Sequence, residues 1–255
     1  MMKSIGAYFL IILVSLVLGP SILRADESGG NEATVTMILG TAHVYAMGSK
    51  TGRVLKKGDK LRKEQEVRTS NKSRLEIRFP DGTVMRLAER SFLKMSQLSF
   101  DKKTENKSVK VELGIGKLWA KVRKLLTPDS SVEVRTSNAV AGVRGTVYRI
   151  NVEEDKSALV KVYDGTVYVA NPPRDKVKTG EETTKPHEVS GPHEVLPPFH
   201  EVSMEEWTAI VKAMQQIRIS SQGVPSKPHD FDPKADSDEW VRWNQERDKD
   251  VILEN

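Results

Sequence analysis

Three histidines stand six and seven residues apart in near-identical settings: Pro186-His187-Glu188-Val189, Pro192-His193-Glu194-Val195 and His200-Glu201-Val202. Imidazoles beside carboxylates could hold zinc or another divalent ion. The spacing argues against it, because six residues of extended chain cover roughly 20 Å and the ligands of one ion must converge. We read the repeat as a proline-led extended segment with exposed His and Glu, and expect no metal and no cofactor. His43 and His229 stand alone. Nucleophilic chemistry finds no footing either: cysteine is absent, and no serine lies in a G-x-S-x-G elbow. Gly114-Ile115-Gly116-Lys117 lacks both the spacing and the following helix of a phosphate loop. Glu153-Glu154 and Glu181-Glu182 are sequence neighbours, which a strand turns to opposite faces. The sequence is therefore expected to encode a binding protein, not an enzyme.

The elements that carry these residues are strands. Leu75, Ile77 and Phe79 alternate with Arg74, Glu76 and Arg78, and Val109, Val111 and Leu113 alternate with Lys110 and Glu112. Leu118, Ala120 and Val122 continue the pattern, as do Val132 with Val134, Tyr148 with Ile150 and Val152, and Val160 with Val162. A period of two with charge on one face means strands buried on one side only. Turn signals recur about every 8–12 residues, the rhythm of an all-β sandwich, barrel or roll. The expected fold is all-β, a multi-stranded β-sandwich or β-roll over residues 33–170, with a C-terminal helical extension.

A Gly-Thr pair recurs at the entrance to strands, as Gly40-Thr41, Asp81-Gly82-Thr83, Arg144-Gly145-Thr146 and Asp164-Gly165-Thr166. Glycine admits the positive φ that such a turn needs, and threonine is a good first strand residue. The run Asn138-Ala139-Val140-Ala141-Gly142-Val143-Arg144-Gly145-Thr146, after Val132-Glu133-Val134-Arg135-Thr136, closely resembles the signature of the FecR domain family. Gly58-Asp59, Asp81-Gly82-Thr83, Leu113-Gly114 with Gly116-Lys117-Leu118, and Asp164-Gly165-Thr166-Val167 follow in the family's order. The resemblance implies an extracytoplasmic β-rich domain, best known from transmembrane regulators of iron uptake. There it contacts an outer-membrane receptor and passes a signal to a cytoplasmic sigma factor. Asp81, Gly82, Thr83, Gly142, Arg144, Gly145, Thr146, Asp164 and Gly165 are expected to be fold-defining, with Gly145 at positive φ and Arg144 paired with an acid across its turn. Only Met1 to Ser4 precede the first apolar run, so a stand-alone domain without the anti-sigma segment is expected.

That apolar run covers residues 5–18, after Lys3 and before Gly19-Pro20 and Leu23-Arg24-Ala25. This is the three-part plan of a secretory signal peptide over residues 1–25, and it places the mature protein in a periplasm. An uncleaved signal anchor is the alternative; cleavage would leave no stable membrane span. The mature chain would carry 38 bases and 35 acids. Bases crowd into residues 50–78, with eleven against four acids, and into 102–124, with eight against two. Such stretches suit an anionic glycan or lipopolysaccharide, or are solvated strand faces. Export and the lack of interleaved aromatics exclude nucleic acid. The expected partner is an envelope protein, with an anionic glycan as the alternative.

Residues 171–202 hold six prolines and read as an extended strap. Beyond it Ser203 and Glu206 form a capping box, and Met204, Trp207, Ile210, Val211, Met214 and Ile217 fall on one helical face. An amphipathic helix is thus expected over 203–223. Residues 224–255 form an acidic tail with a short helix that carries Trp240 and Trp243 one turn apart. Asp238 is spaced to pair with Arg242. Trp207, Trp240 and Trp243 are the candidate packing or interaction residues, with the chain's own β-domain as the expected surface for the tail.

Overall fold

The computed structural model describes residues 30–101, 103–125, 127–172 and 207–252. The strands run β1 (Ala33–Leu39), β2 (Ala42–Ala46), β3 (Arg53–Val54), β4 (Lys60–Leu61), β5 (Gln65–Thr69) and β6 (Arg74–Arg78). Next come β7 (Val84–Leu87), β8 (Phe92–Phe100), the long β9 (Lys107–Val122), β10 (Ser131–Arg135), β11 (Val140–Val143) and β12 (Thr146–Val152). The chain closes with β13 (Ala158–Asp164), β14 (Thr166–Ala170), β15 (Thr208–Lys212), β16 (Gln215–Ile219), β17 (His229–Asp230) and helix α1 (Glu239–Ile252).

The strands divide between two sheets. The first runs β4-β1-β6-β7-β9-β12-β13-β16-β17 and the second β3-β2-β5-β8-β9-β10-β11-β14-β15. Among the described residues only β9 and β10 pair in parallel. β9 belongs to both sheets: residues up to Ile115 pair with β8, and residues from Gly116 pair with β12. The alternating apolar residues of both sheets meet in one core, in which Val35, Ile77, Met85, Leu118, Ile150 and Val162 of the first sheet join Val67, Leu93, Val111, Val134 and Val169 of the second. Burial on one face and polarity on the other is what the period of two demands.

Successive strands mostly change sheet, and the passages share one device. Gly40, Gly58, Glu64, Lys72, Arg90, Gly116, Gly145, Gly165 and Met214 each lie at such a passage with positive φ. Three of the four Gly-Thr pairs are therefore corners between sheets; Gly82-Thr83 turns the β6–β7 hairpin within one sheet. At the sharpest corner, Gly145 (φ 71°) and Gly165 (φ 82°) pass side by side. A Cβ on Gly165 would lie 2.6 Å from the Gly145 carbonyl oxygen. No side chain fits there, whatever its chemistry.

Two expectations are corrected. The amphipathic helix of 203–223 is two strands in different sheets where it is described: β15 pairs with β14 and β16 with β13, and Met214 (φ 63°) makes the corner between them. The residues that formed a helical stripe separate on opposite sides of that corner. Val211 and Ile217 are buried, whereas Ile210 and Met214 are half exposed. Thr208, Ile210, Val211, Ile217 and Ile219 are β-branched, and the otherwise unpaired edges of β13 and β14 decide the outcome. Consequently the β-domain does not end at residue 170, since β15, β16 and β17 complete both sheets. The signal peptide, the His-Glu repeat and the capping box at Ser203 lie outside the described residues. No helix among the described residues is long and apolar enough to cross a membrane.

Candidate functional site

The outward side chains of the first sheet form a ladder set by strand register. Glu76 faces Arg86, Arg86 faces Trp119, Trp119 faces Arg149, Arg149 faces Lys161, and Lys161 faces Gln216. A row of cations and aromatics would ordinarily stand in water. Here the chain after β17 lies across it, and α1 shields Arg86 and Glu76 to 0% and 1% side-chain exposure.

Two carboxylates of that segment enter the row. Asp248 accepts from Arg86 Nη1 at 2.7 Å and from the Trp119 indole at 3.0 Å, while its carbonyl accepts from Lys121 Nζ at 2.8 Å. Asp236 accepts from Arg149, from Lys161 Nζ at 3.0 Å and from the Tyr163 hydroxyl at 2.6 Å. Glu76 is the sheet's own anion: it accepts from Arg86 Nε at 2.7 Å, Thr36 Oγ1 at 2.7 Å and Arg247 Nη2 at 3.2 Å. Burial pushes the Glu76 carboxyl up, but the hydrogen bonds and charge of Arg86, with Thr36 and Arg247, outweigh it and hold the group below the ordinary range. Burial and the bond to Asp236 push the Tyr163 hydroxyl well up despite the nearby Arg149 charge, so it stays a donor.

Around these charges lies a second, small apolar cluster of Ala88, Trp119, Tyr163, Trp240 and Val241, with Val147, Phe231 and Trp243 against it. Trp240 and Trp243 stack at 5.4 Å, and the Arg74 guanidinium sits 4.9 Å from the Trp243 ring. Asp238 does not pair with Arg242 as its spacing suggested. Its carboxylate accepts from the Val241 amide at 2.8 Å and caps α1, a stronger use of an acid at a helix N-terminus. The tail thus packs on the β-domain, as expected of Trp240 and Trp243. Trp207 is partly buried against the main core, and its indole donates to the Gly223 carbonyl at 3.1 Å.

The family-signature residues sit elsewhere and act on the backbone. Asp81 accepts from the Thr83 amide at 3.0 Å and hydroxyl at 2.7 Å and pairs with the buried Lys107, which locks the Gly82 hairpin. Gly142 lies in β11 opposite Tyr168. The Thr146 hydroxyl donates to the Thr166 carbonyl at 3.0 Å across the Gly145–Gly165 corner, and Asp164 stands exposed beside it. Arg144 does not meet an acid; it donates to the Leu125 carbonyl at 3.4 Å. Among the described residues no set of three His, Asp or Glu side chains is placed to hold a metal ion.

Sequence reasoning missed Glu76, Arg86, Arg149, Lys161, Asp236 and Asp248. One signal was present. Once Asp81-Gly82 is taken as a hairpin turn, Glu76 and Arg86 fall opposite each other as a cross-strand pair. Their burial by a segment some 160 residues away leaves no local trace.

Fold and site together define an all-β sandwich whose strands change sheet at positive-φ corners, with its C-terminal segment bound over one outer face. Residues 65–168 match the family described as FecR protein, and the chain carries a FecR domain. The match runs from the first residue of β5 into β14, so β1–β4 and β15–β17 extend the same two sheets beyond it, and α1 also lies outside it. Two crystal structures of a candidate anti-sigma factor from Parabacteroides distasonis ATCC 8503 are similar at 17% and 16% identity, with TM-scores of 0.44 and 0.43. Each covers 66% of this chain, which spans 60% of that one. No curated protein matches the sequence.

Proposed function

We propose that this protein is a non-catalytic, exported binding module of the bacterial envelope, which works in signalling or as a scaffold through protein–protein contacts. The match of residues 65–168 to the FecR family carries the reading, because that resemblance implies a domain that passes a signal by protein contact. The three-part N-terminal pattern supports export, with Asp26 as first mature residue. Side chains with chemical potential in the described residues are spent on structure: Asp81 and Lys107 on a turn, Glu76, Arg86 and Asp248 on docking a helix.

A second reading has its own support. Lys50, Lys56, Lys57 and Lys63 are exposed along the sandwich edge formed by β3 and β4, a surface that suits phosphate or carboxylate groups of an anionic glycan. Capture from envelope extract separates the two. A protein retained at high salt supports the contact module; glycan or lipid released by salt supports the anionic ligand. Fractionation tests the compartment, since mature protein beginning at Asp26 in the periplasmic fraction is expected and an intact N-terminus in membranes establishes the signal anchor.

A further inference from the structure

The face beneath the C-terminal segment differs from an ordinary buried seam. Its contacts come chiefly from charges: Arg86, Lys121, Arg149 and Lys161 on the sheet receive Asp248 and Asp236 from the segment. Among the described side chains of α1, Trp240 and Val241 are the buried apolar ones. The fit is also incomplete. Arg86 Nη2 and Arg149 Nε on the sheet, and Trp240 Nε1 and Arg247 Nε on the helix, are buried without a hydrogen-bond partner among the described residues. All four are donors. A buried unmet donor costs free energy, so the resident segment satisfies this face less well than a ligand with more acceptors could.

We infer that the outer face of the first sheet is a binding groove for an acidic protein segment bearing tryptophan, and that the chain's own residues 232–252 occupy it as a built-in competitor. Three features of the resident define the ligand class. Carboxylates twelve residues apart reach the two cation sites, Asp248 at Arg86 and Asp236 at Arg149 with Lys161, while Lys121 takes the Asp248 backbone carbonyl. An indole plane lies beside Arg74, which sits 5.9 Å from Trp240 and 4.9 Å from Trp243. The helix is anchored at its start by the exposed Arg74–Glu239 and Lys117–Asp238 contacts, of which the second is long at 4.0 Å. Exposed pairs of this kind hold weakly, so opening begins at that end. A partner with the same charge pattern, and acceptors for the unmet guanidinium donors, displaces the segment. This deepens the protein-contact reading and rests on it, but its test needs no envelope partner; failure here leaves the capture experiment standing.

The test is a fluorescent synthetic peptide of residues 232–252 titrated into the full chain and into the full-chain variant Asp236→Asn with Asp248→Asn. The variant keeps every groove residue and weakens only the resident. Because an occupied site lowers apparent affinity by the fraction open, the variant should bind the peptide about tenfold or more tighter than the unaltered chain, and salt should weaken that binding. Equal affinity in both chains, or no binding to either, overturns the proposal. So does equal binding of a peptide carrying Asn at both positions. If the variant does not fold, hydrogen exchange on the unaltered chain decides. Amides of α1 must exchange through an opening that leaves β12 and β13 protected, and α1 protection equal to that of those strands overturns the groove.

Discussion

Gly145 and Gly165 pass each other at one corner of the sandwich, both at positive φ, with the Cα of Gly165 turned toward the Gly145 carbonyl. The first arm leads from β11 into β12 and the second from β13 into β14, so the corner aligns four strands and two sheets at once.

Substitution at this corner is expected to cost stability by two routes. Gly145→Val meets backbone strain and the Lys124 backbone at 3.1 Å, and should lose about 1–3 kcal/mol. Gly165→Ala meets a carbonyl oxygen at 2.6 Å and should lose at least as much despite the smaller side chain. Gly58 shares the positive φ but a Cβ there meets nothing within 4 Å, so Gly58→Ala should cost only the strain, about 1 kcal/mol. Urea denaturation of the three variants checks the order.

Tyr148 is fully buried, and its hydroxyl has no hydrogen-bond partner among the described residues. Burial alone pushes its ionisation far up, so the group stays neutral. Tyr148→Phe removes an unmet polar atom and keeps the ring, and should leave stability unchanged or raise it by about 1 kcal/mol. A melting temperature lowered by several degrees would reveal a partner for that hydroxyl.

Glu76 and Arg86 are both shielded from water and joined at 2.7 Å. Removing Glu76 leaves Arg86 with Asp248 as its one carboxylate partner among the described residues and takes an anion from Arg247, so Glu76→Leu should cost about 3 kcal/mol. The double variant Glu76→Leu, Arg86→Met should recover part of that loss in the core strands while still releasing α1, because Asp248 loses its partner. Thermal melts and the fluorescence of Trp240 and Trp243 report the two effects separately.

Acid should act on the same carboxylate. The folded form holds Glu76 below its ordinary value, so its contribution is complete above the unfolded pKa of about 4.3 and is lost as pH falls through the lower folded value. Docking of α1 should therefore weaken below about pH 4. Glu76→Gln should flatten the dependence contributed by this site, while the exposed carboxylates Asp59, Asp101 and Asp155, also held low, keep theirs. Tryptophan emission followed from pH 7 to pH 2 in both chains measures the difference.

Much of the architecture was written in local pattern. Alternation at Leu75-Glu76-Ile77 and Tyr148-Arg149-Ile150 determined strands and which face they bury, because the side-chain period of a strand is two regardless of partner. Gly145 and its threonine determined a positive-φ corner, since only that backbone fits there. The region after residue 206 was decided otherwise. The residues Trp207, Ile210, Val211, Met214 and Ile217 satisfy a helical period and, folded about Met214, a strand period as well; strands β13 and β14, distant in sequence, supplied the hydrogen bonds that selected two strands. Nothing local to Arg86, Arg149 and Lys161 marks them as buried, for the same reason. Burial of a charge depends on what later chain arrives with the opposite sign, and Asp236 and Asp248 meet them only in the tertiary structure.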